Sequence, residues 1–102
     1  MDVAELTEEM RKRAGQNVKL GYKVKFVLDD DAGVIFWDGT EHPPAIDNED
    51  KPDATTTIRI SPENLKKLMD GALDPTLAYM TGKLKVEGSM GVALKLTSMF
   101  AD

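Results

Sequence analysis

Residues 19–28, KLGYKVKFVL, carry the strongest signal of the fold, because apolar and charged side chains alternate along most of their length. Successive side chains of a β-strand point to opposite faces, so this segment is predicted to be a strand with one apolar and one charged face. Residues 54–60 and 83–87 follow the same pattern. Strands of this kind predict a sheet that is solvent-exposed on one face and covered by helices on the other. This arrangement is an α+β domain with two layers.

Four helices are predicted beside these strands from periodic apolar residues and from capping signals. Ser61-Pro62 and Asp74-Pro75 each place a capping side chain before a proline, which favours the first position of a helix. Asp2 followed by Glu5 is typical of a capping box. The predicted helices span residues 2–14, 61–71, 74–82 and 90–100.

The acidic turn at residues 29–33 leads from the first strand into a second strand at residues 34–38, which predicts an antiparallel hairpin. A five-residue loop sends Phe36 to the apolar face, whereas a four-residue loop sends Ile35 and Trp37 there. We favour the loop that turns Phe36 inward, although the apolar run 34–37 suits both. Residues 39–53 read as a loop, with a short edge strand at Ala45-Ile46 between its prolines.

The last predicted helix is apolar almost all round, with a polar gap made only of Gly91, Lys95 and Ser98. A surface helix normally carries one apolar stripe and a broad polar face. This helix therefore needs apolar contacts on more than one side. Ordinary core packing, a second subunit and an apolar ligand all remain open as the source of those contacts.

Composition excludes several classes of function. The chain has 102 residues, a net charge of −5 and no cysteine. The acidic balance argues against nucleic-acid binding, because phosphate contacts need a basic face. The missing cysteine excludes disulfides, thiol nucleophiles and Cys-ligated metals. We expect a single domain over residues 1–102, located in the cytoplasm, since no signal peptide or membrane-spanning run is visible.

Catalytic and metal signals are weak, so we predict no catalytic residue, metal or cofactor. Asp29-Asp30-Asp31 lacks the spacing of a calcium loop and is read as a polar turn. The single histidine, His42, lies in a proline-rich loop and offers at most one imidazole ligand. Neither Ser61 nor Ser89 has the setting of a nucleophile.

The C-terminal half resembles the sterol carrier protein 2 family. The resemblance runs over residues 53–96 and is strongest in residues 82–96, GKLKVEGSMGVALKL, which follow the Leu73-Asp74-Pro75 motif. The first half is similar in layout only, with a helix and then a strand hairpin. The resemblance implies about five mostly antiparallel strands with helices on one face, and an apolar tunnel between the two layers.

The resemblance also implies a function, which is the non-catalytic binding and transfer of a lipid such as a fatty acid, a fatty acyl-CoA, a sterol-like molecule or an isoprenoid. We expect a monomer or weak homodimer with at most transient membrane contact. The alternatives are a homodimeric interaction module and an accessory protein that presents a lipid to a partner enzyme. Carried over to this chain, the lipid-binding residues are Val24, Phe26, Phe36, Leu65, Leu68, Met69, Leu73, Leu77, Met80, Met90, Leu94, Met99 and Phe100.

Overall fold

The computed structural model describes residues 2–14, 21–41 and 43–100, so the predictions made for His42 and for residues 19–20 lie outside the described chain. The described ranges contain four helices and five strands. In chain order these are α1 (Val3–Ala14), β1 (Lys23–Leu28), β2 (Gly33–Asp38), β3 (Ala45–Asp47), β4 (Thr56–Ile60), α2 (Pro62–Met69), α3 (Pro75–Met80), β5 (Leu84–Gly88) and α4 (Met90–Met99).

The helix starts follow the capping signals of the sequence. An Asp2 carboxylate oxygen accepts from the Glu5 backbone N–H at 2.9 Å, and a Glu5 carboxylate oxygen accepts from the Asp2 N–H at 3.4 Å, which is a capping box. Ser61 caps α2 through the Asn64 N–H at 3.1 Å. Asp74 caps α3 in the same way. The predicted capping box and the two serine and aspartate caps are therefore confirmed.

The strands form one sheet in the order β3-β2-β1-β4-β5. Every pairing is antiparallel except β1 with β4, which run parallel. The connection between these two central strands passes through the β1–β2 hairpin and the short edge strand β3. The sequence-based prediction of about five mostly antiparallel strands is confirmed.

One face of the sheet and the four helices enclose the core. The inward side chains alternate along each strand, as the period of two requires. The parallel register sets Phe26 beside Ile58, and the neighbouring pair Val27 and Arg59 points to the opposite face. The core side chains of the strands are Val24, Phe26, Leu28, Ile35, Trp37, Ile46, Ile58, Ile60 and Leu84. Helices supply Leu6, Met10, Leu65, Leu68, Met69, Ala78, Val92, Ala93 and Leu96, and Phe100 follows α4.

The predicted register of the β1–β2 hairpin is wrong. Leu28 pairs with Gly33, so the loop has four residues, and Phe26 pairs with Ile35. Ile35 and Trp37 therefore face the helices, while Phe36 lies on the opposite face of the sheet. The short loop closes because Asp30 and Asp31 both adopt left-handed backbone angles, with φ of 59° and 55°, which aspartate tolerates better than most residues.

Phe36 is nevertheless buried, with 1% of its surface exposed, because residues 47–53 cross the outer face of the sheet. We call this segment the strap. Lys51 Nζ of the strap lies 5.0 Å from the centroid of the Phe36 ring, within reach of a cation–π interaction. Ion pairs of 2.7 and 2.8 Å tie the strap to β1 by joining Asp53 to Lys23 and Asp50 to Lys25. A third pair of 3.0 Å, between Lys51 and Asp47, lies within the strap.

Candidate functional site

A pocket of about 520 Å³ opens where the α2–α3 connection approaches the end of α4. Its volume falls within the range of roughly 300–1,000 Å³ that is usual for small-molecule sites. The connection is tight because Gly71, which follows the Asp70 cap of α2, takes a φ of +77° and Pro75 begins α3. The lining residues are Leu68, Gly71, Ala72, Leu73, Asp74, Pro75, Leu77, Thr97 and Ser98.

The two α4 residues of the pocket have opposite surroundings. Thr97 is buried, and its hydroxyl donates to the Ala93 carbonyl at 2.9 Å, so it presents little free polarity. Ser98 is exposed, in the polar gap that the sequence predicted. The wall of the pocket formed by α4 therefore has a buried threonine whose hydroxyl proton is used within the helix and an exposed serine at the rim.

Phe100, directly after α4, reaches the inner face of the sheet. Its ring centroid lies 6.1 Å from the ring of Phe26 and 6.1 Å from the ring of Trp37, the second contact being edge-to-face. Phe100 and Thr97 are three residues apart, a spacing that places side chains on one side of a helix. The aromatic cluster of Phe26, Trp37 and Phe100 thus lies on the core side of the α4 segment whose Thr97 lines the pocket.

The indole N–H of Trp37 is the one buried side-chain donor without a hydrogen-bond partner among residues 2–14, 21–41 and 43–100. Its side chain is 1% exposed, and its cross-strand neighbours are Val24 and Ile46. Buried indole N–H groups usually find an acceptor. By contrast, the buried hydroxyls of Thr7 and Thr56 have partners.

Charged groups with shifted pKa values lie on the outer face of the sheet. The hydrogen bond from Lys23 lowers the pKa of Asp53, and the same bond raises the pKa of Lys23. For Asp47, partial desolvation works to raise the pKa, but hydrogen bonds from the Glu49 N–H and Lys51 outweigh it and lower the pKa. These shifts belong to the strap, on the face of the sheet opposite the helices.

The predicted lipid-binding residues fall into separate groups. Val24, Phe26, Leu65, Leu68, Met69 and Phe100 are buried in the core. Leu73 and Met99 are partly buried against it, and Met90 and Leu94 are half-buried. Leu77 and Met80 are largely exposed, at 58% and 72%. Phe36 lies on the other face of the sheet.

The pocket itself brings together Leu68, Leu73 and Leu77 from that set. Sequence reasoning missed the small and polar lining residues between α2 and α3 and at the end of α4. Asp74-Pro75 was visible as a helix start, and Ser98 as part of a polar gap. Neither signal shows that the two segments meet, because their contact is made only in the folded chain.

No group of His, Asp and Glu with the arrangement of a metal site occurs in the described chain. The acidic turn after β1 is a backbone turn with left-handed aspartates. Among the described residues, no helix is both long and apolar enough to cross a lipid bilayer.

Comparison with known proteins places this architecture in one family. A family model described as the SCP-2 sterol transfer family matches residues 4–101. The Danio rerio hydroxysteroid dehydrogenase-like protein 2 is 37% identical over 71 residues, which cover 69% of this chain and 17% of that protein. Sterol carrier protein 2 of Oryctolagus cuniculus is 44% identical over 52 residues, which cover 51% of this chain and 9% of that protein. The chain thus matches only a small part of the length of these relatives.

Solved structures show the same fold at low identity. A palmitated SCP2L2 from Aedes aegypti superimposes with a TM-score of 0.77 and 19% identity, covering 100% of this chain and 96% of that one. A UbiJ-SCP2 ubiquinone synthesis protein gives a TM-score of 0.74 and 17% identity, covering 96% and 87%.

Fold and family model together define an α+β domain of the lipid-carrier class. The chain belongs to the SCP-2 sterol transfer family. Membership supports lipid or sterol binding or transfer as the general function, and it confirms the resemblance found in the sequence.

Proposed function

We propose that this chain binds the hydrocarbon chain of a fatty acyl or isoprenoid lipid between its sheet and helices, and carries it without catalysing a reaction. The observation that carries the proposal is the pocket of about 520 Å³ between the α2–α3 connection and α4, in a chain of this family. The pocket opens to solvent, and its inner wall includes Leu68 and Thr97, which belong to the core side of α2 and α4.

Hydrocarbon burial supplies the affinity in this mechanism. Transfer from water gains about 0.8 kcal/mol per CH₂, so a sixteen-carbon chain gains roughly 10 kcal/mol before the entropy cost of binding. The pocket receives the first part of the chain. The Phe100 ring packs against Phe26 and Trp37 at the inner face of the sheet, and in this mechanism it moves aside to let the chain go deeper. This movement of the α4 end is the gating step.

The rim of the pocket supports delivery at an apolar surface. Leu77 lines the pocket and is 58% exposed, and Met80 on the same helix is 72% exposed. A lipid that leaves on the α3 side of this opening passes over apolar side chains, whereas Ser98 makes the α4 side polar. Exit along these apolar side chains shortens the time that the hydrocarbon spends in water during release.

The pocket is tested by narrowing it. Ser98→Trp adds an indole at the rim, and we expect it to weaken binding of cis-parinaric acid, a fluorescent fatty acid, by at least about tenfold. Lys95→Trp is the matched control, because Lys95 is exposed on the same helix and does not line the pocket.

Titration of wild type and both variants by probe fluorescence decides the outcome. Weaker binding of the probe by Ser98→Trp, with unchanged binding by Lys95→Trp, supports the pocket as the lipid site. Equal affinity of all three proteins would remove the pocket from the proposal, and no binding by wild type would end the lipid-carrier function itself. Mass spectrometry of an organic extract of the purified protein then identifies the lipid class.

A second candidate is an accessory protein that presents a lipid to a partner. The exposed Leu77 and Met80 favour it, because they offer an apolar contact surface beside the pocket. The structural neighbour named as a ubiquinone synthesis protein is consistent with such a role. Sedimentation before and after lipid extraction separates this candidate from a homodimeric module, since only the module sediments as a stable dimer in both states.

A further inference from the structure

The interior between sheet and helices is apolar apart from a few polar side chains, and one of them is unsatisfied. Thr56 and Thr97 use their hydroxyls on backbone groups. The Trp37 indole N–H has no acceptor within residues 2–14, 21–41 and 43–100. Leaving a buried donor unpaired costs free energy, so a ligand atom that accepts from it gains more there than an apolar atom does.

Trp37 lies on the inner face of the sheet, where it meets the residue that directly follows α4. Its side chain faces the helices, and its ring meets Phe100 edge-to-face at 6.1 Å. Phe100 lies three residues after the pocket residue Thr97. The Phe100 ring, which moves in the proposed mechanism, therefore contacts the indole that has no acceptor in the described chain.

We infer that the Trp37 indole N–H donates a hydrogen bond to an oxygen of the bound lipid once Phe100 has moved. The ligand class is thus an apolar chain that carries a hydroxyl or carbonyl oxygen at the end that enters, since a charged carboxylate would lose too much hydration in this apolar interior. This inference rests on the proposed lipid-binding function and adds a specificity-determining residue to it. The step is hydrogen bonding only, with no bond made or broken.

The test compares two ligands of matched shape. 1-Dodecanol and tridecane differ by a hydroxyl in place of a methyl group, and their affinities are measured by displacement of cis-parinaric acid. Wild type is expected to prefer 1-dodecanol beyond the difference that solubility in water explains. Trp37→Phe removes the donor and keeps an aromatic ring, and we expect it to lose about tenfold for 1-dodecanol and little for tridecane.

A spectroscopic readout needs no variant. Trp37 is the single tryptophan of the chain, so a ¹⁵N-labelled sample shows one indole N–H signal. A hydrogen bond moves this signal downfield, and we expect the shift with 1-dodecanol and not with tridecane. The same signal with both ligands would overturn the inference, because it would mean that the ligand oxygen does not reach the indole.

Different results would disprove the lipid-carrier function and the Trp37 hydrogen bond. If neither ligand displaces the probe and the probe itself does not bind, the lipid-carrier function is wrong. If both ligands bind and Trp37→Phe weakens them equally, lipid binding stands and the Trp37 assignment is overturned.

Discussion

Gly88, at the end of β5, shows how one residue constrains the sheet. Its backbone has a φ of +100°, and a Cβ built there would lie 2.6 Å from the Thr55 carbonyl oxygen. Left-handed backbone is costly for residues with a Cβ, and the close neighbour here is main chain, which yields little. Glycine is therefore required where β5 leaves the sheet for α4.

Alanine substitutions of Gly88 and Gly82 separate the cost of a left-handed backbone from the cost of a steric clash. Gly88→Ala is expected to cost at least about 3 kcal/mol of the free energy of unfolding. Gly82 has a φ of +78°, and a Cβ added there would meet no atom within 4 Å, so Gly82→Ala is expected to cost only about 1 kcal/mol. Urea denaturation of the two variants measures the difference, and equal losses would contradict a clash at Gly88.

Among the elements, α4 shows which contacts its almost continuous apolar surface makes. Its buried residues Val92, Ala93, Leu96 and Thr97 supply the packed side. Gly91, Lys95 and Ser98 are exposed, which confirms the predicted polar gap. Core packing thus explains much of the apolar surface of α4, and Thr97 and Ser98 add a wall of the pocket.

The start of α4 is held by a hydrogen-bonded pair. The Thr56 hydroxyl accepts from the Ser89 N–H at 3.1 Å and donates to the Ser89 carbonyl at 3.3 Å, while Ser89 caps the helix through the Val92 N–H. Thr56 is 1% exposed. The hydrogen bonds between Thr56 and Ser89 therefore form an anchor that links the sheet directly to the helix that forms part of the pocket.

Removal of this anchor should destabilise the fold by a measurable amount. Thr56→Val keeps the shape and removes both bonds, with an expected loss of about 1–2 kcal/mol in the free energy of unfolding. Thr57→Val is the control, because its side chain lies on the other face of the sheet, and we expect a change within about 0.5 kcal/mol. Equal effects in chemical denaturation would mean that the Thr56 bonds contribute nothing.

Across the whole molecule, the two faces of the sheet have different surroundings. Helices cover one face through apolar packing, whereas the strap covers only the β1–β2 part of the other face, through ion pairs and the contact of Lys51 with Phe36. Exposed ion pairs are weak and are screened by salt. We therefore expect the strap to respond to pH and ionic strength more than the helical layer does.

Acid should loosen the strap in a predictable direction. Because the pKa of Asp53 is lowered in the folded state, its ionised form contributes stability above the unfolded value of about 4, and that contribution is lost as the pH falls below it. Asp53→Asn is expected to reduce the acid-induced fall in Tm. Asp31→Asn, in the exposed turn after β1, removes the same charge outside the strap.

Thermal melts of wild type and both variants between about pH 3 and pH 7 measure this dependence. A steeper fall in Tm for Asp53→Asn than for wild type would contradict the stated sign. The same melts in high salt should bring wild type closer to Asp53→Asn, since screening weakens the Lys23–Asp53 pair.

The helices and strands of this protein are predictable from its amino-acid sequence, because the signals that specify them are local. Alternation in residues 23–28 and the caps at Ser61 and Asp74 specify strand and helix without reference to distant residues. The family was also recognisable, since residues 82–96 hold an ordered motif that the family match over residues 4–101 confirms. The lipid-binding residues proposed from that motif stay a prediction.

The hairpin register and the location of the pocket depend instead on contacts that exist only in the folded chain. Residues 34–37 are apolar on both faces, so a period of two carries no information there, and burial of Phe36 under Lys51 of the strap is a contact between segments far apart in the chain. The pocket likewise joins residues 68–77 to Thr97 and Ser98. Such long-range contacts depend on how the layers pack, which local patterns do not encode.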